Sequence, residues 1–395
     1  MNDVCTLSGQ MAEELEEYII KVRQHLHAIP ELGFAENKTA AFVSAELRAL
    51  GFTPKEGVAH TGVVARLDFA RPGPLIMLRA DMDALPVTEE TGLPFASAHA
   101  GQMHACGHDG HMAMLLGVAS VFSRLRQSKA AASLKGSLLF VFQPAEESPG
   151  GAEPMIAEGV LNGVDYCLGA HIWPDVPLGK AGVKEGYLMA ALSRFEITLR
   201  GKGGHGSQPD LCNDVICAAS ELTLALQQVV SRRIDPLSPA VLTVGALNAG
   251  HTYNVLPSEA KLMGCARTFD KQIYHDLESH VRQITAGVAK GAGLGSDIFY
   301  EASHGAVNND PFVTRVVREA AAHVLGADNV IEPALSMAGE DFACYQEKVP
   351  GCLFFLGSGV PGAHPLHNPH FTFPEKILVN GVKIFCRAAL SLLGK

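Results

Sequence analysis

The chain has 395 residues, 47% of them apolar, so it can bury a large core and has the length of about two or three domains. Its formal charge of -10 and its 31 scattered basic residues exclude a nucleic-acid partner, because phosphate binding needs clustered lysine and arginine. Nine cysteines are too scattered for a disulfide framework. With neither a signal-peptide pattern nor an apolar run of roughly 20 residues, we expect a cytoplasmic protein without a membrane partner.

The first half of the chain alternates apolar, β-branched runs with helical stretches, the pattern of an α/β fold. An amphipathic helix is predicted over Met11–Leu26, where acidic and apolar residues alternate. Further helices are predicted at Thr39–Leu50 and His111–Leu125. The predicted strands are Gly62–Leu67, Leu75–Leu78, Ser137–Phe142 and Tyr166–Ala170, joined late in the chain by Cys352–Leu356.

From about Ala191 the order of elements changes. The elements predicted there are the strand Ser193–Arg200, the helix Asp214–Arg232, the strands Ala240–Leu247 and Glu259–Thr268, the helix Lys271–Ala289 and the strand Asp297–Ala302. This order is βαββαβ, the ferredoxin-like α+β arrangement, which is self-contained in roughly a hundred residues. We therefore expect an inserted domain at 191–302 within a discontinuous catalytic domain of 1–190 and 303–395, with the active site in the crevice between them.

A dense cluster of metal-binding residue types precedes one predicted helix. The segment His104-Ala-Cys106-Gly-His108-Asp109-Gly-His111 contains three histidines and a cysteine. A spacing of two in extended chain directs Cys106 and His108 to the same side. A lone cysteine is usually a small buried hydrophobe, but this density favours metal binding. We expect Asp109 and His111 only to cap the helix.

Two adjacent carboxylates, Glu146 and Glu147, follow the predicted strand Ser137–Phe142. Like charges at such short range resist joint ionisation, and a divalent cation removes that conflict. A solvated acidic loop is the alternative, and it would be favoured for an isolated pair. Given the neighbouring candidates, we assign Glu147 to metal binding and Glu146 to proton transfer, because an activated water needs a base outside the ligand set.

Two more histidines follow apolar runs, His171 after Tyr166–Ala170 and His367 in the loop after Cys352–Leu356. Either histidine alone would more often be structural. With the candidates above they make five ligands at strand ends, where open α/β sheets bind their ligands. That number exceeds one tetrahedral zinc site and suits two divalent ions, manganese or zinc, with cobalt or nickel as alternatives. The predicted ligands are Cys106, His108, Glu147, His171 and His367.

Two further segments carry weaker signals. Ligating histidines usually donate their second nitrogen to a carboxylate, so Asp83 is the predicted partner and Asp81 is held in reserve; a simple turn acid is an equal alternative. Gly201–Gly206 spells G-x-G-x-x-G, but the acid that a dinucleotide site needs at the end of the second strand is missing. We interpret the segment as a glycine-rich turn whose His205 is either incidental or reaches the crevice.

Taken together in chain order, these motifs resemble one family of enzymes. The segments that carry the resemblance are Arg79–Asp83, His104–His111, Gln143–Glu147, Gly169–Pro174, Gly204–Gly206, Met337–Phe342 and Pro365–Phe371. They are similar to the hippurate hydrolases, N-acyl-L-amino acid amidohydrolases and plant auxin-conjugate (indole-acetyl-amino acid) hydrolases, within the aminoacylase and glutamate carboxypeptidase group of metallopeptidases. The resemblance implies a mixed-sheet metallopeptidase-type catalytic domain with an inserted lid and dimerisation domain.

The resemblance also implies roles for individual residues. The five predicted ligands would hold two divalent ions, and Glu146 would be the general base. The inserted domain would form a homodimer or a higher oligomer, in which His205 reaches the partner's active site to polarise the scissile carbonyl. Asn254 and Arg267 match positions that hold the substrate's carboxylate, and Gly339 joins this substrate-binding set. In more distant relatives a histidine stands where Asp81 falls, which puts Asp81 in doubt as a ligand. Without the resemblance, Arg267 would be interpreted as half of a surface ion pair.

The predicted reaction is hydrolysis of the amide bond of an N-acyl or N-aroyl amino acid to a carboxylic acid and a free amino acid. Bound cations would lower the pKa of water toward about 7. Glu146 would take the proton and return it to the leaving amine, with Asp83 supporting the site. A dipeptide-cleaving exopeptidase is the alternative in the same class. A non-catalytic, metal-dependent binding module is the alternative from another class, and a thiol-dependent hydrolase using Cys106 is a weaker one.

Overall fold

A computed structural model describes residues 2–394 of the chain. Its helices, in chain order, are α1 (Asn2–Glu13), α2 (Glu16–Ala28), α3 (Asn37–Ala49), α4 (His108–Arg126), α5 (Ala152–Ala157), α6 (Val215–Leu226), α7 (Gln228–Arg233), α8 (Lys271–Gly291), α9 (Pro311–Leu325), α10 (Phe342–Gln346) and α11 (Ile377–Leu393). Within residues 2–394 we find no helix with the length and apolar character that a membrane span requires.

The strands, in chain order, are β1 (Lys55–Val58), β2 (Gly62–Asp68), β3 (Arg71–Asp81), β4 (Lys135–Gln143), β5 (Tyr166–Pro177), β6 (Ala181–Gly182), β7 (Gly186–Met189), β8 (Ala191–Arg200), β9 (Gly204–His205), β10 (Ala240–Ala249), β11 (Val255–Leu256), β12 (Glu259–Thr268), β13 (Gly295–His304), β14 (Val307–Asn309), β15 (Val330–Ile331) and β16 (Gly351–Gly359). The predicted strands of the first half lie within β2, β3, β4 and β5, and the late one lies within β16.

The chain divides into two compact units. The first contains the chain up to Leu188, Asn308–Ala334 and the chain from Asp341 on, and the second contains Met189–Val307 and Leu335–Glu340. Leu335–Glu340 lies in the predicted catalytic segment 303–395, but in the structure it packs with the second unit. The backbone explains this placement, because the N–H of Ala190 donates to carbonyl groups of this segment at 3.0 and 3.1 Å.

An eight-stranded mixed sheet forms the centre of the first unit. Its strand order is β1-β2-β4-β3-β5-β16-β6-β15. The neighbours β4, β3, β5 and β16 are parallel, while β1 and β2 extend the sheet in antiparallel fashion. Because parallel strands end at one edge, the segments that follow β3, β4 and β16 emerge at the same edge of the sheet.

The core of the first unit covers both faces of this sheet. All of β4 after Lys135 is buried, which is typical of a strand with helices on both sides. Helix α4 is buried along nearly its whole length and packs against α2 and α11. A helix that is apolar on all sides belongs in the interior, so α4 holds its first residue, His108, in a fixed place at the sheet edge.

The N-terminal segment differs from its prediction. Met11–Leu26 is not one helix, because α1 ends at Glu13 and α2 begins at Glu16. The acidic residues Glu13, Glu14, Glu16 and Glu17 crowd this position, and like charges three or four residues apart destabilise a continuous helix. The break lets Leu15 turn inward, where it is buried.

The second unit is a four-stranded antiparallel sheet of order β10-β12-β8-β13 covered by helices. Strand and helix order confirm the predicted ferredoxin-like arrangement. Helix α6 is capped by Asp214, whose side chain accepts hydrogen bonds from backbone N–H groups of its first turn, and α8 is capped by Asp270 in the same way. The glycine-rich segment after β8 is no dinucleotide site, because β8 and β10 are separated by β12 and do not form the βαβ unit of adjacent parallel strands that such a site requires.

A core substitution tests this packing. Phe140 of β4 is fully buried, and its ring meets the Phe52 ring edge-on with centroids 5.4 Å apart. We expect Phe140→Ala to lower the free energy of unfolding by about 3–5 kcal/mol in urea titrations followed by circular dichroism. Leu237→Ala, at a side chain that is 91% exposed, should change it by less than about 0.5 kcal/mol. Equal losses in the two variants would contradict the assignment of Phe140 to the core.

Candidate metal centre and active site

Cys106 and His108 meet at the start of α4 through a turn rather than an extended chain. Gly107 between them has φ of 88°, a left-handed conformation that glycine adopts without strain, and His108 is already helical. The extended geometry inferred from their spacing is therefore wrong. The two side chains still converge, because ligand atoms of Cys106, His108 and His171 all lie within 4.8 Å of one another.

His171 reaches the centre from within a strand. The prediction that it follows the end of a strand is wrong, because β5 continues to Pro177 and His171 pairs with Phe355 of β16. Its Nε2 lies 3.5 Å from the Sγ of Cys106. A position inside a central strand of the sheet gives this histidine a rigid backbone.

Glu147 and His367 complete the set from two loops. Glu147 lies in the loop after β4, and its Oε1 is 3.1 Å from the Nε2 of His367. His367 has φ of 65°, and its backbone N–H donates to the carbonyl of Ala105 at 2.8 Å. This hydrogen bond ties the loop before α11 to the residue that precedes Cys106.

The five predicted ligands fall into two groups that share Cys106. Ligand atoms of Cys106, Glu147 and His367 lie within 4.8 Å of one another, as do those of Cys106, His108 and His171. Glu146 joins a further group with His108 and Glu147. Two overlapping groups of three are what two neighbouring cations with a shared ligand require.

The ring nitrogens are arranged as metal binding requires. The Nδ1 of His108 lies 2.8 Å from the carbonyl of Asp83, and the Nδ1 of His171 lies 2.8 Å from the carbonyl of Ile172. A carbonyl only accepts, so each Nδ1 carries its proton and the Nε2 of the neutral ring keeps a lone pair. The Nε2 of His108 is buried without a hydrogen-bond partner, which a bound cation would satisfy.

Charge at the site also favours cations. Burial lowers the pKa of His108, but carboxylates, Asp81 first among them, outweigh burial and raise that pKa to about 10. Burial and then the Glu147 carboxylate hold the pKa of the Cys106 thiol well above its usual range. Divalent ions held by these residues would replace the two protons and neutralise the carboxylates. Thiolate, imidazole and carboxylate ligands together therefore fit divalent ions.

Asp81 is occupied by neighbours in the protein. Its Oδ2 accepts from Nη1 of Arg79 at 2.7 Å, and its Oδ1 lies 2.7 Å from the Nδ1 of His111. The Nε2 of His111 accepts from the backbone N–H of Ile172 at 2.9 Å. The expectation that His111 only caps α4 is wrong, because His111 connects Asp81 to the backbone beside His171.

Asp83 binds the backbone of the loop that carries Glu146 and Glu147. Its Oδ1 accepts from the N–H of Glu146 and its Oδ2 accepts from the N–H of Glu147, each at 3.0 Å. His108 donates to the backbone carbonyl of Asp83 at 2.8 Å, while the carboxylate is 3.4 Å away. Asp83 thus orients His108 mainly through its backbone and the loop through its side chain.

Asp341 holds the same loop from its other end. Its Oδ2 accepts from the N–H groups of Gly151 and Ala152 at 3.1 and 3.0 Å, and its backbone N–H donates to Oε1 of Glu146 at 3.4 Å. Nη2 of Arg79 donates to its Oδ1 at 2.8 Å. The motif Met337–Phe342 predicts no role for Asp341, because this contact joins residues far apart in the chain.

The chain is similar to proteins of a known family. Residues 77–391 match Peptidase family M20/M25/M40. The chain belongs to this family. It is 40% identical over 396 residues to the N-acetyl-L-cysteine deacetylase of Bacillus subtilis, covering 99% of this chain and 93% of that protein. It is 42% identical over 301 residues to the N-acyl-L-amino acid amidohydrolase of Geobacillus stearothermophilus, covering 76% and 80%.

The similar M20 proteins also include peptidases. The thermostable carboxypeptidase 1 of Saccharolobus solfataricus is 35% identical over 389 residues, with 97% of each chain covered. The crystal structure of a dinuclear metal-binding M20 peptidase from Bacillus subtilis matches with a TM-score of 0.81 at 37% identity, covering 96% of this chain and 99% of that chain. The expected family and fold are confirmed, and the chain is a metal-dependent amidohydrolase of the M20 family that binds divalent ions.

The remaining predicted residues lie in the second unit of this M20 chain. Pairing of β9 with β11 brings His205 close to Asn254, since the N–H of Gly206 donates to the Asn254 carbonyl at 2.9 Å. His205 is exposed. Nη1 of Arg267 donates to the carbonyl of Met337 at 2.7 Å, which is the contact seen in place of the surface ion pair considered from sequence. Gly339 lies so close to His304 that a Cβ would meet its ring at 2.7 Å.

Asp109 belongs to a buried ion cluster, which corrects the remaining prediction of a helix cap. Asp109 does not cap α4, because its Oδ2 accepts from Nε of Arg23 at 2.8 Å and lies 2.8 Å from Nδ1 of His27. The Nε2 of His27 lies 3.2 Å from a Glu89 oxygen. Burial lowers the pKa of His27, but Asp109 and Glu89 outweigh burial and raise it to about 9.

This cluster predicts a pH dependence of stability. Because the folded-state pKa of His27, about 9, is above its ordinary value of 6.5, its contribution is complete below about pH 6.5 and is lost as pH rises through about 9. We expect the urea midpoint of the wild type to fall across this window, and that of His27→Gln to fall less. His251→Gln, at an exposed position, serves as the control and should keep the wild-type profile. Identical profiles for wild type and His27→Gln would contradict the assignment.

Proposed function

We propose that the protein hydrolyses the amide bond of N-acyl or N-aroyl amino acids, releasing a carboxylic acid and a free amino acid. The observation that carries this proposal is the pair of carboxylates at the end of β4. Glu147 is grouped with Cys106 and His367, while the Glu146 carboxylate accepts a hydrogen bond from the backbone N–H of Asp341. Both glutamates lie near His108, but only Glu147 is grouped with Cys106 and His367, and Glu146 is held by a separate backbone contact. This difference supports Glu147 as a ligand and Glu146 as the general base of hydrolysis.

Cys106, His108, Glu147, His171 and His367 would hold the two divalent ions. When bound, these ions would lower the pKa of a water molecule and polarise the amide carbonyl. Glu146 takes the proton of the attacking water at its carboxylate and returns it to the leaving amine nitrogen. The hydrogen bonds from the Glu146 and Glu147 N–H groups to Asp83 would keep the loop in place during this proton transfer.

Substrate recognition is assigned to the second unit. Asn254 and Arg267 would hold the substrate's carboxylate, with Gly339 in the same binding set. His205 would polarise the scissile carbonyl in the active site of the partner subunit of a homodimer. The hydrogen bond from Gly206 to the Asn254 carbonyl supports a joint role for His205 and Asn254, because it couples the backbone of the two segments.

The thiol-dependent alternative is disfavoured by the environment of Cys106. Burial and adjacent carboxylates keep its pKa well above the usual range, so a free thiolate nucleophile is suppressed. The exopeptidase alternative is supported by the carboxypeptidase among the relatives. Benzoyl-glycine and N-acetyl amino acids lack a free amino group, so a comparison of kcat/KM with unblocked dipeptides separates the two activities. Ligand binding without turnover of any of these compounds would support the non-catalytic module.

Replacing the base tests the division of roles between the glutamates. We expect Glu146→Gln to lower kcat about 10²–10⁴-fold while the metal content per chain is unchanged. The matched variant Glu147→Gln should lose metal as well as activity, because it removes a ligand. Both kcat, on N-acyl amino acids, and metal content, by elemental analysis, are measured. An intact rate in Glu146→Gln would refute its assignment as the base.

Metal removal tests the cofactor. Dialysis against a chelator should abolish hydrolysis of N-acetyl, N-benzoyl and indole-acetyl amino acids, because the site then keeps protons in place of cations. Re-addition of manganese, zinc, cobalt or nickel should restore it to different extents, and two equivalents per chain should saturate the gain. Full activity in a protein shown to be metal-free would exclude the proposed mechanism.

A further inference from the structure

Glu36 is a buried carboxylate outside the predicted ligand set. It lies at the residue before α3 and is 0% exposed. Its Oε1 accepts from the backbone N–H of Ala145 at 2.8 Å, and its Oε2 accepts from Oγ1 of Thr61 at 2.5 Å. Ala145 immediately precedes Glu146, so Glu36 contacts the backbone next to the proposed base.

Ala145 adopts a conformation that needs support. Its φ is 53°, in the left-handed region that residues with a Cβ rarely adopt. The carbonyl of Ala145 accepts from the N–H of Gly150 at 3.0 Å, and Glu36 holds its N–H. Without Glu36 this N–H is a buried donor with no acceptor, and the peptide can rotate toward a commoner conformation.

The segment that carries Glu36 also contacts the backbone next to Asp83. The carbonyl of Glu31 accepts from the N–H of Ala84, the residue after Asp83, at 2.8 Å. Gly33 lies against the loop so closely that a Cβ would be 2.4 Å from the Ser148 carbonyl. The turn before α3 is therefore a common support for Asp83 and for the loop that carries Glu146.

We propose that Glu36 is a positioning residue, which acts through the N–H of Ala145 to direct the Glu146 carboxylate toward the reacting amide. The inference rests on the proposed function. Glu36 is not assigned to metal or substrate, and its effect on catalysis passes through the loop backbone. Further along the same loop, Asp83 accepts from the N–H groups of Glu146 and Glu147, and Asp341 accepts from those of Gly151 and Ala152. Hydrogen bonds to carboxylates therefore hold the loop backbone both before and after Glu146.

Two substitutions at Glu36 separate a hydrogen-bonding role from a role of charge. In Glu36→Gln the amide oxygen can still accept from Ala145 while the amide NH₂ donates to Thr61, so kcat should stay within about threefold of the wild type. Glu36→Met has similar length but no acceptor, and we expect kcat to fall about 10²-fold. Because only the base is misplaced, KM should change by less than about twofold and the metal content should not change.

Thr61→Val is the matched control, because it removes the other partner of Glu36 and leaves the contact with Ala145. It should lose stability but keep kcat within about threefold of the wild type. A fall in kcat equal to that of Glu36→Met would show that the Thr61 contact, and not the grip on Ala145, matters, and would overturn the inference. Loss of metal in Glu36→Met, or equal loss of kcat in Glu36→Gln, would overturn it as well.

Amide hydrogen exchange gives a readout independent of turnover. In metal-free protein, Glu36→Met should speed exchange in the peptide spanning 143–152 and leave the core peptide 135–141 unchanged, while Glu36→Gln should match the wild type in both. Unchanged exchange at 143–152 in Glu36→Met would overturn the inference. If the wild type hydrolyses none of the N-acyl amino acids, the proposed function fails, and the exchange experiment still decides whether Glu36 holds the loop.

Discussion

The gathering of carboxylates at one edge of the first unit's sheet is the constraint on which the rest of the site depends. Buried like charges cannot all stay ionised without counter-charge. Arg79 supplies a permanent positive charge between Asp81 and Asp341, and the histidines supply others that depend on protonation. Divalent ions provide the remainder, which explains why thiol, imidazole and carboxylate groups can share so small a volume.

Orientation at this site comes largely from the backbone. The tautomer of His108 is set by the carbonyl of Asp83, and that of His171 is set by the carbonyl of Ile172. Conversely, carboxylates accept from the N–H groups of the loop that carries Glu146. The strands and helices around these groups are buried and therefore rigid. The hydrogen bonds to their backbone hold the reacting side chains in fixed orientations.

Local sequence patterns predicted most of the secondary structure and the fold, but they did not predict contacts between residues far apart in the chain. Apolar runs located the central strands, and the order βαββαβ identified the ferredoxin-like unit. The same patterns misplaced the start of α4 and put His171 after its strand, since period and composition do not define element ends. The roles of Arg79 and Asp341 were missed because a hydrogen bond across 262 residues leaves no local signal. The five ligands were predicted from the motifs in combination, whereas the roles proposed for His205, Asn254 and Arg267 came only from the family resemblance.

The position of His367 has a consequence for how the protein matures. Its group with Cys106 and Glu147 draws on residues separated by the whole of Met189–Val307, and β16 ends at Gly359, before His367 is reached. On the ribosome, the strands of the large sheet are therefore translated before this group is complete. The group of Cys106, Glu147 and His367 can therefore form only after the chain on both sides of the second unit has been synthesised, whereas Cys106, His108 and His171 all precede that unit.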